Sequence, residues 1–181
     1  PGWQTHVSLD YFPSSTVARD SLGKAPKLNL PAASILTLHD DNVGILPQST
    51  LGSLGQLTHR IRSRGFAGFS TRYWLIGDHD PTVTFIAKSA WDAEISPEDV
   101  CYEVLRAACG EACVDDMFTM YSEVQKATVM LEQNRFTLAF PAPNMIMKSW
   151  IAEPFPKELV VIRETYRSAL ASAHKARQKV G

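Results

Sequence analysis

Two neighbouring carboxylates, Asp40 and Asp41, follow an apolar segment and could carry out acid–base chemistry. Carboxyl groups that lie close together can differ in pKa, so that one stays protonated as an acid while the other is ionised as a base or nucleophile. Cleavage of a glycosidic bond uses such a pair. Asp and Asn are also residues that turns favour, so a solvated turn is the alternative interpretation of this segment.

Other polar and aromatic side chains stand at the ends of predicted strands and are candidates for substrate binding: Asp10, His39, Asn42, Arg72 and Trp74. Arg72 and Trp74 are two positions apart, so in a strand they project on the same side. A guanidinium can pair with a carboxylate through two hydrogen bonds, and an indole could stack on a sugar ring. Burial in the core is the alternative for Trp74. We expect the other two tryptophans of the later chain, Trp91 and Trp150, to pack helices or anchor loops.

The motifs of several other enzyme classes are absent from the sequence. It contains no G-x-S-x-G elbow, no phosphate-binding glycine loop and no H-E-x-x-H helix. The cysteines Cys101, Cys109 and Cys113 lie on predicted helices, where no His or further Cys has a spacing that would complete a zinc site. We therefore expect neither a metal nor an organic cofactor, and carboxylate chemistry is the simplest enzymatic interpretation.

Three segments, each followed by a helical pattern, are predicted to be strands: residues 5–11, 32–39 and 66–74. Strands that alternate with helices favour a parallel sheet with the helices outside it. A (β/α)8 barrel needs about 250 residues, so we interpret these units as the last three βα units of a barrel whose earlier units precede this chain. A doubly wound sheet is the alternative. In a barrel the candidate residues would stand at the C-terminal strand ends, where catalytic groups lie.

Beyond Asp92 the pattern predicts helices only. Ser96 is a typical helix N-cap, and Pro97 suits the first helical position. Apolar residues at helical spacing predict helices over residues 97–108, 111–134 and 159–179. The chain is therefore predicted to have two domains, the C-terminal part of a catalytic barrel in residues 1–92 and a helical domain in residues 93–181.

The composition is that of a globular protein and limits the classes of partner. Hydrophobic residues make up 45% of the chain, and 18 basic side chains nearly balance 19 acidic ones. Without a basic field we expect neither nucleic acid nor a membrane as partner, and no apolar run approaches the ~20 residues that span a bilayer. The chain begins at Pro1 rather than at a methionine, which favours a piece of a larger polypeptide.

Three segments in order, HDDNVGILPQ, GFAGFSTRYW and AKSAWDAEISPEDVCYEVLRAACG, carry a resemblance to a known family. This order resembles the end of the barrel and the following helical domain in large (β/α)8 glycoside hydrolases of the α-glucuronidase and related exo-acting kind. The resemblance covers roughly residues 30–135 and implies an active-site acid at Asp40 or Asp41, with sugar binding by Arg72 and Trp74. The strand that usually gives the other catalytic carboxylate would lie in the remainder of the barrel or in another chain.

Two functions follow as expectations. The first is a glycoside hydrolase segment that acts on a sugar or a uronic-acid-containing glycan. The alternative is a non-catalytic helical interaction module, whose partner surface would be the apolar faces of residues 113–131 and 159–170.

Overall fold

The computed structural model describes residues 5–8, 32–37, 47–72, 80–133 and 156–180, and helices form most of these residues. We number the five helices α1 to α5 in chain order: Leu51–Ser63, Asp80–Ser89, Pro97–Cys109, Val114–Gln133 and Lys157–Val180. None of these helices is long and apolar enough to cross a membrane.

Local chemistry explains where α3 begins and where α1 and α3 end. The Ser96 hydroxyl accepts a hydrogen bond from the backbone N–H of Asp99 at 3.3 Å, and Pro97 follows at the first helical position. Gly110 ends α3 with a φ of 80°, and Gly65 follows α1 with a φ of 78°, a region that favours glycine. The predicted cap at Ser96 is confirmed.

The first hydrophobic cluster holds α1, α2 and α3 together. Leu54 and Leu57 of α1 meet Phe85 of α2 and Val100 of α3, and all four side chains are almost fully buried. Truncating a buried aromatic residue such as Phe85 to alanine typically costs about 3–5 kcal/mol. The cluster joins residues on both sides of Asp92, the position at which the sequence predicts a domain boundary. That division of the chain stays a prediction.

Helices α4 and α5 form an antiparallel pair, which is the most extensive helix contact among the described residues. Their second cluster joins Ala127 and Leu131, near the end of α4, to Leu159 and Ile162, near the start of α5. At the other end, the Cys113 thiol donates to the carbonyl of Ala176 at 3.2 Å. The buried parts of the two apolar faces therefore cover each other, whereas Val160, Val161 and Leu170 of α5 stay exposed. That these faces bind a partner stays a prediction.

Three short strands form a parallel sheet in the order β1, β2, β3: Thr5–Ser8, Ala32–Thr37 and Gly68–Arg72. Ala33 of β2 lies opposite Gly68 of β3, and Thr37 lies opposite Arg72. The pairs β1–β2 and β2–β3 are both parallel.

The described fold is nevertheless helical, and the predicted end of a (β/α)8 barrel, or TIM barrel, is wrong. In such a barrel each helix packs on the strands. Here each extensive contact of a described helix is with another helix. Each extensive contact of a strand is with another strand. The hydrophobic residues of the described core lie in the helices or in the turn before α4. Hydrophobic periodicity finds a helix and its apolar face, but it does not say whether a sheet or another helix covers that face.

Candidate functional site

The residues predicted to form a carbohydrate site are not brought together by the described structure. Asp10, His39, Asp40, Asp41, Asn42 and Trp74 lie outside the described residues. Arg72 is described through its backbone, as the last residue of β3. Carboxylate chemistry at Asp40 and Asp41, a carbohydrate substrate and a second chain that completes the site all stay predictions from the sequence.

A cleft of about 550 Å³ opens between α1, the end of α2 and the start of α3. Its α1 wall includes Gln56, His59 and Arg60, and its α3 wall includes Pro97 and Glu98. Ser89 lines it from the end of α2, and Ala93 and Ile95 line it from the segment that joins α2 to α3. We call residues 90–96 of that segment the Trp91 loop.

Close packing of α1 against the start of α3 shapes the bottom of the cleft. A Cβ atom at Gly55 would lie 2.6 Å from Cγ of Pro97, so only glycine allows this approach without a shift of one helix. Phe85, which is 1% exposed, lies at the same junction and belongs to the first hydrophobic cluster. The cleft is therefore built on a buried core rather than on surface side chains alone.

Hydrogen bonds order the Trp91 loop at both ends. The backbone N–H groups of Trp91 and Asp92 both donate to the carbonyl of Lys88 at 3.0 Å, which closes the end of α2. The Asp92 carboxylate then accepts from the N–H of Glu94 at 2.9 Å. The Ser96 cap fixes the far end, where α3 begins. Trp91 is thus held on a hydrogen-bonded turn between two helices.

Trp91 is 94% exposed, the highest exposure of any large hydrophobic side chain in the described residues. The sequence-based prediction that it packs a helix or anchors a loop is wrong. Leaving so large an apolar side chain in water forgoes about 1.5–3 kcal/mol of burial. Tryptophan is also the residue type most enriched among the side chains that dominate protein interfaces. Ser89 and Ala93, two positions before and after Trp91, both line the cleft.

Four carboxylates without an ion pair in the described residues follow Trp91 in the chain. Asp92, Glu94, Glu98 and Asp99 are all exposed, and none of them forms an ion pair with a cation in the described ranges. The nearest lysine in sequence, Lys88, is paired with Glu103. Glu98 and Asp99 lie in the first turn of α3, where the helix dipole favours anions. The helix dipole does not explain Asp92 and Glu94, because both lie before the start of α3.

Two kinds of reactive group, a metal centre and a nucleophilic thiol, gain no support from the described residues. No three His, Cys, Asp or Glu side chains among them gather as ligands for a metal. Burial, with a smaller effect of the Glu98 charge, raises the pKa of Cys101 to about 11. Burial also raises the pKa of Cys109. Because a thiolate is the nucleophilic form of cysteine, these shifts disfavour thiol catalysis at neutral pH.

Sequence reasoning missed Trp91 as a functional candidate because an aromatic residue next to a helix usually packs. A signal was present in the segment WDAEISPED, where four acidic residues closely follow the tryptophan. Asp and Glu are almost never fully buried unless they are paired, so this segment favours an exposed position.

Comparison with known proteins identifies no protein family, no curated protein and no solved structure that matches this chain. The resemblance to glycoside hydrolases thus gains no support from relatives, and the described fold corrects the barrel that it implied.

Proposed function

We propose that this chain is a helical protein-interaction module that binds a segment of a partner protein at the cleft and the Trp91 loop. The observation that carries the proposal is the 94% exposed indole of Trp91, held on an ordered loop beside a cleft of about 550 Å³. A partner would bury the indole against itself and place a neighbouring side chain in the cleft.

The hydrogen bonds that fix the Trp91 loop favour binding of a partner. Binding costs free energy when flexible side chains and loops must be immobilised, and a loop already fixed by hydrogen bonds loses less. The Lys88 carbonyl and the Asp92 carboxylate hold the backbone on both sides of Trp91. The indole has only two rotatable side-chain bonds to fix on binding, so its apolar area contributes efficiently to affinity.

The cleft has a size and lining suited to more than one partner side chain, including one with a polar end. Sites of roughly 300–1,000 Å³ hold drug-sized ligands in proteins. Phe85 and Ile95 give this cleft an apolar part, and Gln56, His59 and Glu98 supply polar groups. The mixture fits an amphipathic side chain better than a purely apolar one.

The test is a selection of random peptides displayed on phage against the wild-type chain, followed by affinity measurements on Trp91→Ala. Truncating an interface tryptophan typically costs 2 kcal/mol or more, so the selected peptides should bind the variant about 30-fold more weakly or worse. Leu170→Ala is the matched control, because Leu170 is 57% exposed on α5, away from the cleft. Peptides that bind wild type and Trp91→Ala equally would contradict the proposal, and so would a selection without enrichment.

A further inference from the structure

We infer that the partner segment is cationic and places an arginine or lysine side chain against the ring of Trp91. This inference rests on the proposed function and specifies the chemistry of the partner. It draws on three features of the described residues: the exposure of Trp91, the carboxylates that follow it in the chain without an ion pair, and the cleft beside it.

The charge around the site is negative along a continuous stretch. Residues 89–105 contain five acidic side chains and neither lysine nor arginine: Asp92, Glu94, Glu98, Asp99 and Glu103. Lys88 neutralises only Glu103. In the described part of the chain, neither a hydrogen bond nor an ion pair reaches the carboxylate of Glu94. A cationic partner would supply the missing counter-charge.

The indole of Trp91 makes this negative surface favour a cation that can lie on the face of an aromatic ring. The face of a tryptophan ring attracts a guanidinium or ammonium group within about 6 Å of its centre, and tryptophan is the strongest aromatic partner for such contacts. An arginine stacked on Trp91 keeps its N–H groups in the plane of the guanidinium, parallel to the ring, where they can reach a carboxylate. Asp92 directly follows Trp91 and has one carboxylate oxygen committed to the Glu94 N–H, which leaves the other oxygen for a partner.

The single arginine of the cleft does not oppose this assignment. Arg60 lies on the α1 wall and already interacts with another group of the chain. We therefore place the partner's cationic group on the side of the Trp91 loop. The aliphatic part of that arginine or lysine side chain would follow the apolar lining formed by Ile95 and Pro97.

The experiment measures binding of three synthetic Gly/Ser peptides that differ only in carrying arginine, glutamine or glutamate at the same positions. The arginine peptide should bind wild type, and the other two should bind at least about 10-fold more weakly. Asp92→Asn combined with Glu94→Gln should weaken binding of the arginine peptide about 5- to 10-fold, the effect of two exposed charge pairs. Asp115→Asn with Glu158→Gln is the control, because it changes the net charge equally in the first turns of α4 and α5.

The outcomes separate the inference from the function on which it rests. If the glutamine peptide binds as tightly as the arginine peptide and Trp91→Ala abolishes both, the cationic partner is ruled out and the interaction module stands. If Trp91→Ala leaves every peptide affinity unchanged, the module itself is contradicted. If both double charge variants weaken binding of the arginine peptide equally, this peptide binds through net charge alone. That result also overturns the inference. Absence of arginine-peptide binding overturns it as well.

Discussion

The backbone N–H of Ser49 donates a hydrogen bond to Oγ1 of Thr128, 3.1 Å away and 79 positions later in the chain. The same hydroxyl donates to the carbonyl of Val124 at 2.8 Å, so it acts as donor and acceptor at once. Both residues are buried. This bond, with that from the Gly52 N–H to Oε1 of Gln125 at 3.0 Å, ties the start of α1 to α4.

Thr128→Val should therefore destabilise the fold although it keeps the shape of the side chain. The Ser49 N–H would be left buried without its acceptor, which costs about 1–3 kcal/mol. Thr119→Val is the matched control in the same helix. The Thr119 hydroxyl donates to the backbone carbonyl of Asp115, as that of Thr128 does to Val124, but Thr119 is exposed. Urea unfolding of both variants measures the difference. Equal effects of the two substitutions would show that the bond to Ser49 adds no stability.

Tyr166→Phe should lower stability at neutral pH, and the loss should shrink in alkali. The Tyr166 hydroxyl donates to the carbonyl of Pro47 at 2.8 Å, and a bond of this kind contributes about 0.5–1.5 kcal/mol. Burial raises the pKa of Tyr166 from 10 to about 12. Because the folded pKa exceeds the unfolded one, the stabilisation is complete below pH 10 and is lost as pH rises towards 12.

Free energies of unfolding for wild type and Tyr166→Phe, measured from neutral pH to about pH 11, check this dependence. The wild type should lose stability relative to the variant above pH 10. A constant difference between the two proteins over the whole range would contradict the raised pKa.

Gly55→Ala should destabilise the fold more than Gly52→Ala. Both glycines lie inside α1, where alanine is intrinsically better by about 1 kcal/mol. At Gly55 the new Cβ would meet the ring of Pro97 at 2.6 Å, and this ring is fixed at the start of α3. At Gly52 it would meet the amide end of Gln125, a flexible side chain that can move at the cost of the hydrogen bond that it accepts from the Gly52 N–H. Thermal melts of the two variants give the comparison, and a higher melting temperature for Gly55→Ala would contradict the close approach.

The cysteines should differ in their reaction with iodoacetamide. Cys101 and Cys113 are each 1% exposed, whereas Cys109 is partly exposed. The raised pKa of Cys101, about 11, should further suppress its thiolate at neutral pH. Peptide mass spectrometry after brief labelling of the folded protein should find Cys109 modified first. Labelling of Cys101 at the same rate would show that α3 opens readily.

The sequence is a good guide to the helices because the signals that end a helix are local. Ser96 and Pro97 act on the backbone next to them, and the structure confirms this predicted helix start. Gly65 and Gly110 likewise act through their own backbone geometry. Which surfaces meet is a long-range property. The apolar faces of α4 and α5 are visible in the sequence, but nothing local shows that they cover each other rather than bind a partner or a sheet.

The candidate site was harder to predict for the same reason. Residue type suggests that Trp91 is buried, and only the arrangement of α2, the Trp91 loop and α3 leaves it exposed. The cleft likewise depends on the approach of Gly55 to Pro97, which are far apart in the chain. The carboxylates singled out first, Asp40 and Asp41, lie outside the described residues, so their role stays a prediction.

The most direct measurement is the NMR signal of the Trp91 indole N–H during titration with a peptide selected for binding. Trp91→Phe assigns the signal among the four tryptophans of the chain. The interaction module predicts that this signal shifts and saturates with the same affinity as the bulk binding curve, while the melting temperature of Trp91→Phe stays that of wild type because the indole is 94% exposed. Saturable binding that leaves the Trp91 signal unmoved would contradict the account.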